Sequence, residues 1–350
     1  MTYLKFHFEL KTLTPVVSYV ITIHNHRFLI EQILRGINSS ATLPFEIIII
    51  DDASNDFPLN SLKKFINEFE LSEYLSRIFM YRNLRQRFEV FSDNFGCNQA
   101  SGLYLCLIQG DMVVNDPGFD TRLKKLLDNH QDVGAISGKS VRVSGANSIK
   151  KWENSKGHAF KLPTLTRYLV NYFKKSSKDL NSNQKNFFKY SSLNETYCRV
   201  EECNTAEELT SKFIKYGEVH YKDTSKGIDQ QILNSNILMI GRLINRGPIF
   251  MKVSDFKSVN GFNIKAFFQG WDDFEFSTKL IVQGKALAFS PINFESRPDW
   301  GATQRKKSLY LILLIRFNRF KIKKFRKHLY ISRYDSLNLD HPLVGKVFRN

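Results

Sequence analysis

The sequence predicts an α/β fold in which a mostly parallel sheet carries helices on both of its faces. Short, continuously apolar runs, typical of strands buried on both faces, alternate with amphipathic helical segments. Polar and acidic residues follow several of these runs, as they do at the ligand-binding edge of open parallel sheets. A length of 350 residues, 42% of them hydrophobic, is sufficient for one large domain with appendages.

The first two predicted strands flank an amphipathic helix. Residues 16–23 are apolar at nearly every position and predict the first strand. Residues 45–50 predict a second buried strand, which ends in a turn-forming acidic segment over residues 51–56. Between them, apolar residues recur at helical spacing and predict one buried helix face: Leu29, Ile30, Ile33, Leu34 and Ile37.

The alternation of strands and helices continues to residue 137. The further predicted elements are a helix over 59–69, a strand over 78–82, a helix of small residues over 94–102, a strand over 104–108, a helix over 121–127 and a strand over 133–137. Because crossovers between parallel strands are right-handed, we expect the carboxyl ends of these strands along one edge of the sheet.

The domain organisation follows from where this alternation weakens. Residues 145–245 lack regular signals and are interpreted as an irregular insertion, and regular signals return at residue 246. We therefore predict one domain over residues 1–307 that contains this insertion. Residues 308–350 are predicted to form an aromatic, basic C-terminal tail with a helix.

The composition limits the partners and the compartment. Lys and Arg number 51 against 34 acidic residues, and the net charge of +17 predicts nucleic acid, an anionic membrane surface or phosphorylated small molecules as the class of partner. The four cysteines fit no zinc spacing, and no signal peptide or membrane-spanning run is found. We expect a reduced, cytoplasmic protein, held peripherally at the inner face of a membrane by its basic tail. The alternative for the tail is a helix packed on the preceding domain.

Three groups of polar residues end predicted strands. Thr22 and His24 follow the first strand, where a loop can present backbone groups to a nucleobase, or can be an ordinary turn. Asp52 follows the second strand and suits ribose hydroxyls or a pyrimidine N–H, with helix capping as the alternative. Gln109 and Asp111 follow a third strand. Asp111 is suited to hold Mg²⁺ or Mn²⁺ together with diphosphate oxygens, or is a turn residue.

A fourth group, Trp271, Asp272 and Asp273, opens a predicted helix in which acidic and aromatic residues alternate. The helix macrodipole also favours acidic residues there, which is the alternative explanation. A helix advances about 100° per residue, so the two aspartates cannot both face one reacting hydroxyl. Asp273 shares a face with the apolar residues Phe276 and Leu280 and is expected to point to the cleft. Asp272 is expected on a more solvated stripe beside Glu275 and Lys279.

Taken in order, these residues resemble the family-2 glycosyltransferases of GT-A fold. Thr22 departs from the family pattern, which usually has proline there, and Gln109 and Gly110 stand where acidic residues are common. The resemblance covers residues 17–280, without the insertion and the tail. The matching segments are Val17 to Asn25, Glu46 to Asp56, the spaced residues Asn94, Gly96, Ala100 and Gly102, then Asp111, Asn245 to Pro248, Gly261 with Phe262, and Asp272 with Asp273.

The resemblance implies a nucleotide-diphosphate sugar as donor, a carbohydrate or lipid-linked acceptor, and transfer with inversion in polysaccharide or glycan assembly. It implies Asp273 as the base and a divalent cation, Mn²⁺ or Mg²⁺, held by Asp111 and by Asp299 in place of the family's histidine. The donor contacts it implies are Thr22, His24, Asp52, Gln109 and Asp111. The acceptor contacts it implies are Gly247, Pro248, Trp271 and Asp272.

Three other classes of function compete with this interpretation. A nucleotidyltransferase would need a glycine-rich phosphate loop after the first strand, and residues 22–27 contain no glycine. A non-catalytic nucleotide- or glycan-binding protein of the same fold is consistent with the reduced metal motif, and measured turnover would distinguish it. A nucleic-acid partner is not expected, because no recognition motif accompanies the basic residues.

Overall fold

The computed structural model describes residues 2–143, 197–265, 272–297, 299–300 and 341–349, with the single positions 313 and 317. These residues form a ten-stranded central sheet, a four-stranded sheet, a two-stranded ribbon and eight α-helices.

The strands and helices of the described residues are numbered in chain order. The strands are β1 (Thr2–Glu9), β2 (Val17–Ile23), β3 (Phe45–Asp51), β4 (Leu75–Asn83), β5 (Tyr104–Gln109), β6 (Val113–Val114), β7 (Val133–Ser137), β8 (Ser140–Arg142), β9 (Cys198–Arg199), β10 (Glu218–His220), β11 (Ile237–Gly241), β12 (Leu243–Ile244), β13 (Ile249–Lys252), β14 (Ala286–Phe289), β15 (Phe294–Glu295) and β16 (Val347–Arg349). The helices are α1 (Arg27–Ser40), α2 (Leu59–Glu68), α3 (Phe88–Gln99), α4 (Phe119–Asn129), α5 (Ala206–Tyr216), α6 (Gln230–Asn234), α7 (Val253–Ser258) and α8 (Asp272–Val282).

The central sheet has the strand order β1-β4-β3-β2-β5-β13-β7-β14-β11-β16. Strands β4, β3, β2 and β5 pair in parallel, and β7 and β14 continue in the same direction. Strand β13 lies antiparallel between β5 and β7, while β1 and β11 also run in the reverse direction. Seven of the ten strands therefore share one direction, which confirms the predicted fold class.

The buried strands and helix faces explain this arrangement. All seven residues of β3 are buried, so the sheet is covered on both faces at its centre. The five apolar residues predicted to form the buried face of α1 are all buried. Helix α3 packs on β2 and β3 through Gly96, where a Cβ atom would lie only 2.5 Å from Val20 Cγ1. Helix α4 packs on β7, and α8 packs on β12 and β14.

Several predicted boundaries are corrected by the structure. The helix predicted over residues 94–102 is α3, which begins at Phe88 and ends at Gln99, because the acidic residues Glu89 and Asp93 interrupt the apolar pattern of its first two turns. The predicted insertion is too long. Residues 197–245 contain β9 to β12, and β11 belongs to the central sheet, so within the predicted insertion only residues 145–196 lie outside the described residues.

The predicted tail is also partly reassigned. Residues 347–349 form β16, which pairs antiparallel with β11 at the edge of the central sheet. Apart from Leu313 and Phe317, residues 308–340 lie outside the described residues. None of the helices in the described part of the chain combines the length and apolar character that crossing a bilayer requires.

Candidate active site

The candidate site lies at the carboxyl ends of β2 to β5, which share one edge of the central sheet. Thr22 at the end of β2 is paired in register with Gln109 at the end of β5. On the other side of β2, the loops after β2 and β3 are hydrogen-bonded to each other. His24 Nδ1 lies 2.8 Å from the carbonyl oxygen of Asp52, and the Asn55 N–H donates to Asn25 Oδ1 over 2.8 Å. The predicted grouping at this edge is therefore found.

Asp52, predicted to contact the donor, is buried and its carboxylate is hydrogen-bonded within the protein. It is 2% exposed. Its Oδ1 accepts hydrogen bonds from Asn83 Nδ2 and the Arg87 N–H, both over 2.7 Å, and its Oδ2 accepts one from the Phe88 N–H over 2.8 Å. The carboxylate thus holds the β4–α3 loop and the first residue of α3. Helix capping was the alternative interpretation of this residue, and the donor contact stays a prediction.

The end of β5 is shaped by a close backbone approach. A Cβ atom on Gly110 would lie 2.5 Å from the carbonyl oxygen of Thr22, so glycine is the residue that fits here. The side-chain amide of Gln109 donates to Glu89 Oε1 on α3. Asp111 follows, half-buried, at the start of the β5–β6 turn. A carboxylate in place of Gln109 would face Glu89 with like charge, which explains why this position of the motif is neutral.

The second predicted metal ligand lies in a segment that packs near Gly110. Asp299 is exposed, and the carbonyl oxygen of its neighbour Trp300 is 2.9 Å from His26 Nε2. The other ring nitrogen of His26, Nδ1, would be 3.1 Å from a Cβ atom on Gly110. The His26 ring therefore lies between the end of β5 and the segment that carries Asp299 and Trp300. Among the described residues, no three His, Cys, Asp or Glu side chains converge. Two carboxylates still suit Mg²⁺ or Mn²⁺, since such ions complete their shells with phosphate oxygens and water.

A buried cluster around Arg246 lies beside this edge. Arg246 is 8% exposed, and its Nε donates to Asp272 Oδ2 over 2.6 Å. Its Nη1 lies 3.0 Å from Glu89 Oε1 and also pairs with Asp93. Since Glu89 accepts from Gln109, continuous contacts join the end of β5 to the first turn of α8. We call Glu89, Asp93, Arg246 and Asp272 the arginine cluster.

Burial shifts the titration of the groups in this region. Burial raises the pKa of Asp93 to about 7, with Glu89 and Asp272 adding to the rise and Arg246 opposing it. Burial would lower the pKa of Arg246, but Asp272, Glu89 and Asp93 outweigh it and raise that pKa well above its ordinary value. Burial, followed by the adjacent Asp272 carboxylate, raises the pKa of Asp273 to about 6. The site thus contains a permanent cation, Arg246, and two carboxyl groups, Asp93 and Asp273, whose pKa values lie near neutral pH.

The environments expected for the two aspartates of α8 are corrected by the structure. Asp272, expected on a solvated stripe, is 0% exposed because Arg246 supplies a buried countercharge. Glu275 of the same stripe is also buried and pairs with Lys279 over 3.3 Å. Asp273 is half-buried, and its Oδ1 accepts from the Phe274 N–H over 2.8 Å. Of the pair, Asp273 is therefore the one with a solvent-accessible surface.

The predicted acceptor contacts at Gly247 and Pro248 stay a prediction, and the structure shows both residues buried. Both residues are buried against the β7–β8 turn, where the Gly138 N–H donates to the Pro248 carbonyl oxygen over 2.9 Å. A Cβ atom on Gly247 would lie 2.4 Å from Lys139 Cβ, so this glycine allows close packing. They leave little surface for an acceptor and instead hold the backbone next to Arg246. Trp271 lies outside the described residues.

Sequence reasoning missed Glu89 and Asp93 and assigned no role to Arg246. Glu89 and Asp93 are spaced i, i+4 on α3, on the face that also buries Val90 and Cys97. Acidic residues on an otherwise buried helix face require a partner, and this was the signal available in the sequence. The partner itself could not be identified, because Arg246 is 153 residues from Asp93.

Comparison with known proteins identifies the family. The model of "Glycosyl transferase family 2" matches residues 18–195, which is just over half of the chain. None of the curated proteins matches this chain significantly.

Three solved structures show similarity at low sequence identity. Residues 1–349 of S. aureus TarS, in complex with UDP, match with 13% identity and a TM-score of 0.39 over 79% of this chain and 57% of that chain. The mannosyltransferase PcManGT from Pyrobaculum calidifontis, in complex with GDP-Man and Mn²⁺, matches with 14% identity and a TM-score of 0.46 over 91% of this chain and 71% of that chain. GalNAc-T7 with UDP, GalNAc and Mn²⁺ matches with 14% identity and a TM-score of 0.47 over 93% of this chain and 52% of that chain. The chain thus spans little more than half the length of the TarS and GalNAc-T7 chains.

Proposed function

Because this chain belongs to glycosyl transferase family 2, we propose that it transfers a sugar from a nucleotide-diphosphate sugar to an acceptor hydroxyl. The transfer is a single displacement with inversion at the anomeric carbon. The acceptor is a carbohydrate or a lipid-linked carbohydrate, and the reaction serves polysaccharide or glycan assembly. The observation that carries the proposal is Asp273, a half-buried carboxylate with a raised pKa, joined to the end of β5 through the arginine cluster.

Asp273 is the base in this proposal. A pKa of about 6 leaves its carboxylate mostly ionised at neutral pH while making it a stronger base than an ordinary aspartate. The acceptor oxygen attacks the anomeric carbon, its proton passes to Asp273, and the nucleotide diphosphate leaves with the electrons of the broken bond. The proton moves late, when bond formation has made the hydroxyl more acidic.

The donor lies at the ends of β2, β3 and β5 in this proposal. The loops that carry His24 and Asp52 line the nucleobase and ribose, while Thr22 and Gln109 lie beneath the donor. Asp111, with Asp299, would hold a Mg²⁺ or Mn²⁺ ion, which when bound neutralises charge on the diphosphate. Basic side chains share that task. Asp272, buried in its pair with Arg246, supports the acceptor side indirectly by fixing the first turn of α8.

Replacement of Asp273 tests the proposal. Asp273→Asn removes the proton acceptor, and we expect turnover to fall by about 100- to 10,000-fold while donor affinity stays nearly unchanged. The measurement is nucleotide diphosphate release from a panel of nucleotide sugars with Mn²⁺ or Mg²⁺. Once the active donor is known, calorimetric titration with its nucleotide diphosphate measures the affinity of the donor site in wild type and in Asp273→Asn. The anomeric configuration of the product, read by NMR, tests inversion.

Asp255→Asn is the matched control for this experiment. Asp255 also lies in the first turn of a helix, is half-buried, and has a pKa raised by burial, but it belongs to α7 and not to the arginine cluster. We expect this control to retain wild-type turnover. Equal turnover of wild type and Asp273→Asn would remove Asp273 as the base. Binding of nucleotide sugars without any turnover would favour the non-catalytic binding protein.

A further inference from the structure

Arg246 joins the two helices that border the candidate site. From the segment between β12 and β13, its guanidinium reaches Glu89 and Asp93 on α3 and Asp272 on α8. The ring of Phe262 lies 4.7 Å from the guanidinium carbon and encloses it further. With 8% of its surface exposed, this arginine has exchanged water almost entirely for carboxylates and an aromatic ring. Such an arrangement keeps α3 and α8 in one fixed relation.

The backbone of the same residue also influences the base. The Arg246 backbone N–H lowers the pKa of Asp273, and Asp273 Oδ1 accepts a hydrogen bond from the Phe274 N–H over 2.8 Å. Arg246 therefore holds Asp272 with its side chain and favours the ionised form of Asp273 through its backbone. Movement of Arg246 would move Asp272 and with it the first turn of α8, which carries Asp273.

We propose that Arg246 is the positioning residue of the base: by holding Asp272 at the first turn of α8 it orients the adjacent Asp273. The charges of Arg246 and Asp272 then set the pH at which Asp273 gains its proton. This inference rests on the proposed function, in which Asp273 accepts the proton of the acceptor. It assigns Arg246 no contact with the substrate. Its effect on the reaction passes through Asp273.

The charges that face Asp273 act in opposite directions. The Arg246 guanidinium favours the ionised form of Asp273, whereas the neighbouring Asp272 carboxylate disfavours it. Behind Arg246, α3 contributes Glu89 and Asp93, which partly neutralise the guanidinium. Among the described residues, a further charged pair on α8, Glu275 with Lys279, forms an ion pair and also hydrogen-bonds to Asn263 and Gly261. Removing the cation and removing the anion should therefore shift the titration of Asp273 in opposite directions.

Three variants test this inference through the pH profile of kcat/KM. Arg246→Gln removes the cation, and we expect the acidic limb of the profile to move up by about 1 pH unit. Asp272→Asn removes the adjacent anion, and we expect the limb to move down by about 1 unit. Arg246→Lys keeps the charge but lacks the fork that contacts several carboxylates. We expect its limb to stay near the wild-type position while kcat falls by about 10-fold or more, with the KM of the donor little changed.

A direct titration separates this inference from the proposed function. In protein labelled with ¹³C at the Asp carboxyl carbon, the Asp273 signal is identified by its loss in Asp273→Asn, and its midpoint is followed by NMR in each variant. Opposite shifts for Arg246→Gln and Asp272→Asn support the inference even if no nucleotide sugar is turned over. Midpoints of Arg246→Gln and Asp272→Asn that coincide with the wild-type midpoint, in correctly folded protein, overturn it. If Arg246→Gln fails to fold, an unmoved midpoint in Asp272→Asn or an undiminished kcat in Arg246→Lys contradicts the inference.

Discussion

At the scale of single residues, Asp93 illustrates how burial changes a carboxyl group. It is 2% exposed on α3 and faces Glu89, Asp272 and the Arg246 guanidinium. One guanidinium cannot compensate three neighbouring carboxylates, two of them buried, because the buried groups lose their hydration and the ionised groups repel one another. Retention of a proton on Asp93 relieves this excess. Asp93 is therefore expected to be the member of the arginine cluster that titrates near neutral pH.

The pH dependence of stability tests this assignment. The folded protein holds the Asp93 proton up to about pH 7, whereas an unfolded chain releases it near pH 4. Folding takes up a proton between these values, so the Asp93 contribution to the free energy of unfolding falls as pH rises through this window. Asp93→Asn cannot take up the proton. Its stability relative to wild type should increase from pH 5 to pH 7, by at most about 1.4 kcal/mol per pH unit.

Urea denaturation at pH 5, 6, 7 and 8 measures this difference. Asn98→Ala is the control on the same helix, because it removes one exposed hydrogen bond to Asn94 and no titratable group. Its stability should differ from that of wild type by a constant amount at every pH. A difference between Asp93→Asn and wild type that is likewise constant would show that Asp93 does not titrate in this range.

At the scale of elements, the start of α3 depends on Asp52, a residue of the loop that follows β3. Phe88, the first residue of the helix, has φ +66°, in the left-handed region that side chains rarely adopt. The Asp52 carboxylate accepts the N–H groups of Arg87 and Phe88 and so stabilises this turn. Since α3 carries Glu89 and Asp93, the capping of α3 by Asp52 also positions the arginine cluster.

Replacement of Asp52 measures this contribution. Asp52→Ala leaves two backbone N–H groups and the Asn83 amide without their acceptor, and we expect a loss of about 2–3 kcal/mol in the free energy of unfolding. The control is Asp56→Ala in the same loop. Asp56 Oδ2 accepts one N–H, from Arg27 over 3.2 Å, and its loss should cost below about 1 kcal/mol. Chemical denaturation compares the two variants, and equal losses would contradict the capping role.

At the scale of the whole molecule, the net charge of +17 requires an explanation beyond the site. Basic residues are densest over residues 316–327, and the chain beyond them returns to the central sheet as β16. Phe348 of β16 stacks on His130 at 4.4 Å between ring centroids, and Arg349 pairs with Glu207 over 2.5 Å. The described residues on both sides of this basic segment, up to Trp300 and from His341, therefore belong to the domain.

We predict that this segment binds anionic membranes. Each basic residue near such a surface contributes about 1 kcal/mol, so replacing Lys323, Lys324, Arg326 and Lys327 with Gln should weaken binding to anionic vesicles by more than about 100-fold. Sedimentation with vesicles rich in anionic lipid measures this, and added salt should weaken wild-type binding too. The control replaces four exposed lysines of equal total charge: Lys63, Lys215, Lys226 and Lys257. Equal weakening by both sets would favour a tail packed on the domain and a diffuse charge effect.

Much of the sheet and its functional edge could be predicted from residues close together in the sequence. The run over residues 45–50 reads as a strand buried on both faces because it is continuously apolar, and β3 confirms it. Tyr104 to Gln109 and Val133 to Ser137 are likewise found as β5 and β7. Parallel strands align their carboxyl ends, so the position of Thr22 and Gln109 at one edge of the sheet followed from the same local signals, whereas their adjacency comes from the strand order.

The partners of the acidic residues depended on the folded chain. Asp272 looked solvated because helical periodicity describes one helix, whereas its burial comes from Arg246, which another segment supplies. Asp52 looked directed at a ligand, whereas the β4–α3 loop fills its hydrogen bonds. Strand β13 enters the sheet antiparallel, and β16 completes its edge, from far along the chain. Burial and ion pairing arise between segments that are distant in sequence. A local pattern therefore predicts where a carboxylate lies on its helix or strand, but not which residue compensates its charge.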